Sequence, residues 1–158
     1  MPDKKRIILV SSCLAGINTN YRGGNSEHPA IIELLMSGSA LPVCPEQLAG
    51  LTTPRLPSEI EGGNVQQVLD GRGKVVMSDG RDITSNLIHG AEEVLRLALI
   101  VKPACIVFQE HSPSCGVNYV YNGAFNNTIV PGCGLTTAIL KRQGFTVCTL
   151  EEYLESYV

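Results

Sequence analysis

Arg6-Ile7-Ile8-Leu9-Val10-Ser11-Ser12, followed at once by Cys13-Leu14-Ala15-Gly16, is the stretch that decides the fold. A short, β-branched apolar run that breaks into small residues has the pattern of a fully buried strand. Two later segments repeat that form. Residues 41–43 stop at Cys44-Pro45, and 104–108 run out at Gln109, ahead of His111-Ser112-Pro113-Ser114-Cys115-Gly116. Helical patterns lie between them. Pro29 suits the first turn of a helix over 29–36, and Gly38 terminates it. The clearest helix spans 84–101, with Leu87, Ala91, Val94, Leu95, Ala98 and Leu99 as its inner stripe and Lys102-Pro103 as its stop. A helix over 135–143 ends at Gly144, a last strand covers 145–147, and Thr149 with Glu152 fits a capping box for a terminal helix.

Strands alternating with helices imply an α/β fold: a mostly parallel, Rossmann-like sheet flanked by helices, in one domain over 1–158. Segments 65–69 and 75–77 flank Asp70-Gly71-Arg72-Gly73 and predict a small hairpin insertion. The stretch 46–63, with Pro54 and Pro57, reads as a long irregular loop of the kind that carries function. Ligands of such sheets bind in the crevice beyond the carboxyl ends of the strands.

Composition narrows the partners. The chain has 158 residues, 44% hydrophobic and 17% charged, against a usual charged share of about 25%. Its net charge is −3, and the one basic run is Lys4-Lys5-Arg6. A nucleic-acid polymer demands clustered Lys and Arg, so none is expected as partner. With no Trp and 5% aromatics, a base-stacking platform is also excluded. No run approaches the ~18 apolar residues of a membrane span. The basic start and Val10-Ser11-Ser12-Cys13 mimic an export signal, but the apolar run 7–10 is shorter than the about 7–15 residues a signal core needs. A cytoplasmic location is therefore expected, and there thiols stay reduced.

Of six cysteines, Cys13, Cys44 and Cys115 each lie just past the end of a different expected strand. A parallel sheet brings those ends to one edge. Cys105 and Cys148 fall within apolar strand runs, where packing is the default role. Cys133, in Pro131-Gly132-Cys133-Gly134, is open to either reading. No C-x-x-C occurs, so the spacing is not a zinc signature. Three soft thiolates suit an iron–sulfur cluster or zinc. Gly132-Cys133-Gly134 before a helix lacks the third Gly or Ala of a dinucleotide fingerprint, position 137 being Thr.

At these residues the chain resembles the bacterial thiouracil desulfidase family. The motifs are Ser12-Cys13-Leu14-Ala15-Gly16, Pro42-Val43-Cys44-Pro45-Glu46, Thr53-Pro54-Arg55-Leu56-Pro57-Ser58-Glu59-Ile60 and Ser112-Pro113-Ser114-Cys115-Gly116. Asp82-Ile83-Thr84, Gly90-Ala91 and the region 123–140 extend the likeness over nearly the whole chain. The resemblance implies a [4Fe-4S] cluster held by Cys13, Cys44 and Cys115, with one iron left open, and removal of sulfur from a thiolated nucleobase or similar thiocarbonyl heterocycle. It implies Glu46 and Ser112 as the catalytic pair, Glu46 as general base and Ser112 as hydrogen-bond donor. Tyr21, Arg55 and His111 are candidate substrate contacts, and a loop ion pair between Arg55 and Glu59 is the structural expectation for that pair. Departures from the family pattern, Arg22 after Tyr21, His111 before Ser112 and Asn122 before Gly123, bear on the substrate. The alternative is a non-enzymatic iron–sulfur or zinc module, closed by Cys133 as a fourth thiolate; the position of Cys133 relative to the other three discriminates the two.

Overall fold

The computed structural model describes residues 6–157, so Lys4 and Lys5 of the basic run lie outside the described residues. The first strand, β1 (Ile8–Ser11), is buried along its whole length. A connection through a 3₁₀ turn at Ser12–Ala15 leads to α1 (Pro29–Met36), which begins on Pro29 with the His28 ring nitrogen accepting the Ala30 amide. β2 (Ala40–Val43) then returns parallel to β1, Ile8 opposite Ala40 and Ser11 opposite Val43.

Where an irregular loop is expected over 46–63, the chain forms three short elements, the last a 3₁₀ turn at Glu61–Gly63. A single helical turn, α2 (Pro45–Leu48), starts on a proline preset for helix, and β3 (Ser58–Ile60) follows. The expected hairpin between 65–69 and 75–77 is incorrect in its first arm. Residues Val65–Leu69 are helical, α3, capped by the Asn64 side chain accepting from the Gln67 amide. β4 (Val75–Met77) pairs antiparallel with β3 instead. The Val-x-x-Val-Leu pattern is short enough to serve either period, and the Asn cap decides for helix.

The long helix, α4 (Thr84–Val101), has the expected limits. Its buried stripe is Leu87, Gly90, Ala91, Val94 and Ala98. Leu95 flanks it, and Leu99 is 53% exposed, outside the stripe expected for it. At about 100° per residue Leu99 falls about a third of a turn off the line through Leu87 and Val94. β5 (Ile106–Val107) pairs with β1. An antiparallel pair with no clear signature in the sequence comes next, β6 (Tyr119–Tyr121) and β7 (Ile129–Pro131). α5 (Leu135–Arg142), β8 (Val147–Cys148) and α6 (Leu150–Tyr157) complete the described chain. The capping box holds: the Glu152 amide donates to Thr149 Oγ1 at 3.1 Å, and the Thr149 amide donates to Glu152 Oε2 at 3.1 Å.

The main sheet has the order β2-β1-β5-β8, all parallel. Alternate residues face opposite layers. Ile8, Val10 and Val107 pack with Ile31 of α1 and Tyr153 of α6, whereas Leu9, Ile106 and Val147 pack with Val94 and Ala98 of α4 and Leu140 of α5. The fold is thus α/β, with helices on both faces of a parallel sheet, which explains why its strands read as continuous apolar runs. Ile60, Val75 and Leu87 belong to a third cluster, under β3, β4 and the start of α4. No helix among the described residues is long and apolar enough to cross a membrane.

Candidate active site

The carboxyl ends of β1, β2 and β5 open on a cavity of about 580 Å³. Each end delivers one cysteine to its wall. Cys13 sits in the 3₁₀ turn after β1, which Gly16 closes at φ 83°, a conformation that favours glycine. Cys44 is the residue before α2, and its carbonyl accepts the Leu48 amide at 3.1 Å. Cys115 lies in the loop after β5, where the Gly116 amide donates to the Ser112 carbonyl at 2.8 Å.

The start of α5 grips that loop. Leu135 and Thr136 donate their amides to the carbonyls of Pro113 (2.7 Å) and Ser114 (3.0 Å), and Thr137 Oγ1 donates to the Cys115 carbonyl at 3.0 Å. Ser114 and Thr136, both fully buried, share a hydroxyl hydrogen bond of 2.8 Å. A Cβ on Gly134 would lie 2.4 Å from the Ser114 carbonyl carbon, so only glycine admits this approach. The Gly-Cys-Gly turn therefore serves the Cys115 loop, and the amides a phosphate would use are bonded to that loop's carbonyls.

Burial pushes the Cys13 thiol up to about 11, helped by neighbouring Cys44 and Glu46. Burial also raises Cys44, with Glu46 raising and Arg55 lowering it, and raises fully buried Cys115, with Glu46, Cys44 and Cys13 adding to the effect. The three thiols thus stand within electrostatic reach of one another, in a setting that favours thiolates only when a cation joins them. Among the described residues no group of three or more His, Cys, Asp or Glu could hold a single metal ion. Zinc draws its ligands to about 2.0–2.3 Å of one point. An iron–sulfur cluster spreads its thiolates over separate irons, and three soft thiols lining one cavity have the donor chemistry such a cluster takes.

Cys133 does not line the cavity, and the charges that bear on it are Lys141 and Glu110, not the other cysteines. Cys105 and Cys148 are buried together on the α1/α6 side of the sheet, and neither lines the cavity.

Glu46, on α2, and Ser112 meet: Ser112 Oγ donates to Glu46 Oε1 at 2.8 Å. Ser112 Oγ also accepts the amides of Ser114 and Cys115, each at 3.1 Å. Its one hydrogen is therefore committed to Glu46. α2 comes this close to α4 because position 90 is glycine; a Cβ there would lie 2.2 Å from the Pro45 carbonyl oxygen. Arg55 pairs with Glu46 Oε2 through Nε at 2.8 Å and also through Nη2. The expected Arg55–Glu59 ion pair does not form. Glu59 points from β3 to the β6–β7 loop and accepts the amides of Gly123 (2.9 Å) and Phe125 (3.2 Å).

Tyr21 and His111 both line the cavity, with Tyr121 and Phe125. The His111 ring lies 5.9 Å from that of Tyr121 at 60°, and its backbone has φ 71°. Glu110 supports this turn, accepting the amides of Val117 at 2.6 Å and Asn118 at 3.0 Å. Glu59, Glu110, Tyr121 and Phe125 join the site without having been expected there from the sequence. The signal available for the two acids is a carboxylate placed directly beside a turn rich in amides.

The family profile described as 2-thiouracil desulfurase matches residues 8–152. The chain belongs to that family. "Uncharacterized protein YbbK" of Bacillus subtilis (strain 168) is 40% identical over 146 residues, covering 92% of this chain and 97% of that one. A solved structure of the [4Fe-4S]-dependent thiouracil desulfidase TudS is 36% identical and covers 96% of this chain and 95% of its own, with a TM-score of 0.84. The family resemblance carried by the motifs is borne out by the profile match, and the α/β fold by the likeness to the TudS structure.

Proposed function

We propose that this protein is a [4Fe-4S]-dependent desulfidase that replaces the sulfur of a thiolated pyrimidine, or a similar thiocarbonyl heterocycle, with oxygen from water. The observation that carries the reading is the shared cavity: three cysteines from three strand ends on one wall and the hydrogen-bonded Glu46–Ser112 pair beside them. Family membership and the cluster dependence of the similar TudS structure support it.

Cys13, Cys44 and Cys115 would hold the cluster, which supplies a Lewis-acidic position left open by three-thiolate ligation. The protein groups do the rest. Tyr21, Tyr121 and His111 give a planar heterocycle an aromatic wall. Glu46 Oε1 takes a proton from the attacking water. The proton that Glu46 takes from water goes on to the departing sulfur, and the second proton of that water leaves the new hydroxyl for sulfur as the carbonyl forms, while the Ser112 hydrogen bond holds Oε1 in place. The thiocarbonyl and one water give a carbonyl and hydrogen sulfide; nothing is oxidised or reduced, so no nicotinamide or flavin is required. The small-molecule substrate and the thiol chemistry fit a cytoplasmic setting.

Anaerobically reconstituted protein incubated with 2-thiouracil tests this directly. The expected outcome is sulfide and uracil in equal amounts. Sulfide-free incubation across a set of thiolated pyrimidines, with a full cluster present, would refute it. The closed four-thiolate alternative is disfavoured by Cys133, which stands apart from the cavity.

A further inference from the structure

Among the described residues lining the cavity, Arg55 is the only Lys or Arg, set among Glu46, Glu59, Glu110 and three thiols. Its side chain is 5% exposed. A guanidinium has five N–H donors, and the protein uses them all. Nε and one Nη2 hydrogen go to Glu46 Oε2; the second Nη2 hydrogen goes to the Thr19 carbonyl at 3.1 Å. Nη1 donates to the Thr52 carbonyl and to Thr53 Oγ1, each at 3.2 Å. No donor remains for a substrate, contrary to the role expected of Arg55 from the sequence.

The partners lie on separate pieces of chain. Thr19 follows the turn that carries Cys13, Glu46 is two residues past Cys44, and Thr52 and Thr53 lie in the loop between α2 and β3. The Arg55 amide also donates to the Tyr21 carbonyl at 2.8 Å, tying the same two loops. Glu46 is thus clamped on both oxygens, Oε2 by Arg55 and Oε1 by Ser112.

We propose that Arg55 is a positioning residue: it fixes Glu46 Oε2 so that the remaining lone pair of Oε1 faces the cavity and the attacking water. This rests on the desulfidase reading. A grip of two donors on one carboxylate, with three more anchoring the guanidinium, is beyond a lysine, whose ammonium is a compact point charge. Displacing a catalytic group by about 1 Å can cost about 10²-fold in rate.

The test uses anaerobically reconstituted wild-type protein, Arg55→Ala and Arg55→Lys, with 2-thiouracil as substrate. Iron content and visible spectrum are measured first, then kcat and KM, then rescue of Arg55→Ala by guanidinium ion against ammonium. Both variants are expected to keep wild-type iron and a KM within about two-fold. Arg55→Ala should lose about 10²-fold in kcat, Arg55→Lys less, and guanidinium but not ammonium should restore part of it. A rise in KM with kcat unchanged would make Arg55 a substrate contact and overturn the proposal. Loss of iron in both variants would make it a scaffold residue, with the same result. A wild-type protein with full iron and no turnover would fell the desulfidase reading first, and this inference with it.

Discussion

Glu46 and Ser112 form a unit in which each sets the other's orientation: the hydroxyl hydrogen is directed at Oε1, and two backbone amides fix the hydroxyl oxygen. Glu46→Gln keeps the shape but cannot accept water's proton, so sulfide release should fall about 10²–10⁴-fold. Ser112→Ala removes the shared hydrogen and should cost about 10²–10³-fold. Both should retain the cluster's visible spectrum, since neither is assigned as a ligand; steady-state sulfide assays with spectra taken on the same samples check this. Equal turnover in either variant and wild type would remove that residue from the chemistry. The pair is legible through the family resemblance, which the motifs around Cys44-Pro45-Glu46 and Ser112-Pro113-Ser114-Cys115 carry. Arg55 takes a different partner from the one its neighbourhood in sequence suggests, and the reason is physical. Glu59 is four residues away along the chain, but β3 turns its side chain toward the β6–β7 loop.

At the scale of elements, the long periodic segments are the legible ones. α1 and α4 have the expected limits because Pro29 opens α1 ahead of its Gly38 stop and Lys102-Pro103 ends the long apolar period of α4. α3, β3, β6 and β7 depart from the expected pattern or lack one, each being five residues or fewer. Segments this short have no resolvable period, and their state is set by what they pack against. Two substitutions probe the elements that aim the site. Gly134→Ala would put a methyl group against the Ser114 backbone. Overpacking of this kind costs about 1–3 kcal/mol, and here the strain falls on the loop carrying Cys115; both the melting temperature and iron retention should drop. Asp82 holds the start of α4, accepting the Thr84 amide at 2.9 Å and the Thr84 hydroxyl at 2.6 Å. These bonds hold its carboxyl below the ordinary value of 3.8. A depressed carboxyl contributes stability above that value and loses it as pH falls through the lower folded-state value. Asp82→Ala should therefore cost about 0.5 kcal/mol at neutral pH, the low end for losing a local hydrogen bond at an exposed site, with the difference from wild type vanishing in strong acid. Urea titrations at pH 7 and near pH 2 measure it.

Across the whole molecule, the parallel sheet is what makes the site possible. Three loops remote in sequence reach one cavity because β1, β2 and β5 run the same way and end at the same edge. That much is legible in the chain, since buried parallel strands announce themselves as apolar runs, each here ending near a cysteine. Cys133 stays ambiguous at that level because a turn's position follows from packing between distant elements. Binding three thiols raised by burial and mutual repulsion couples loading to folding. A ligand held only by the folded chain stabilises it, so reconstituted protein should unfold at a higher urea midpoint than protein stripped of iron. The most direct test of the account is the iron content of anaerobically reconstituted wild-type protein beside Cys13→Ser, Cys44→Ser, Cys115→Ser and Cys133→Ser. The account predicts about four irons per chain in wild type and Cys133→Ser, and most of the iron lost in each of the other three. Iron retained when any of those three is replaced, or lost with Cys133→Ser as fully as with them, would contradict it.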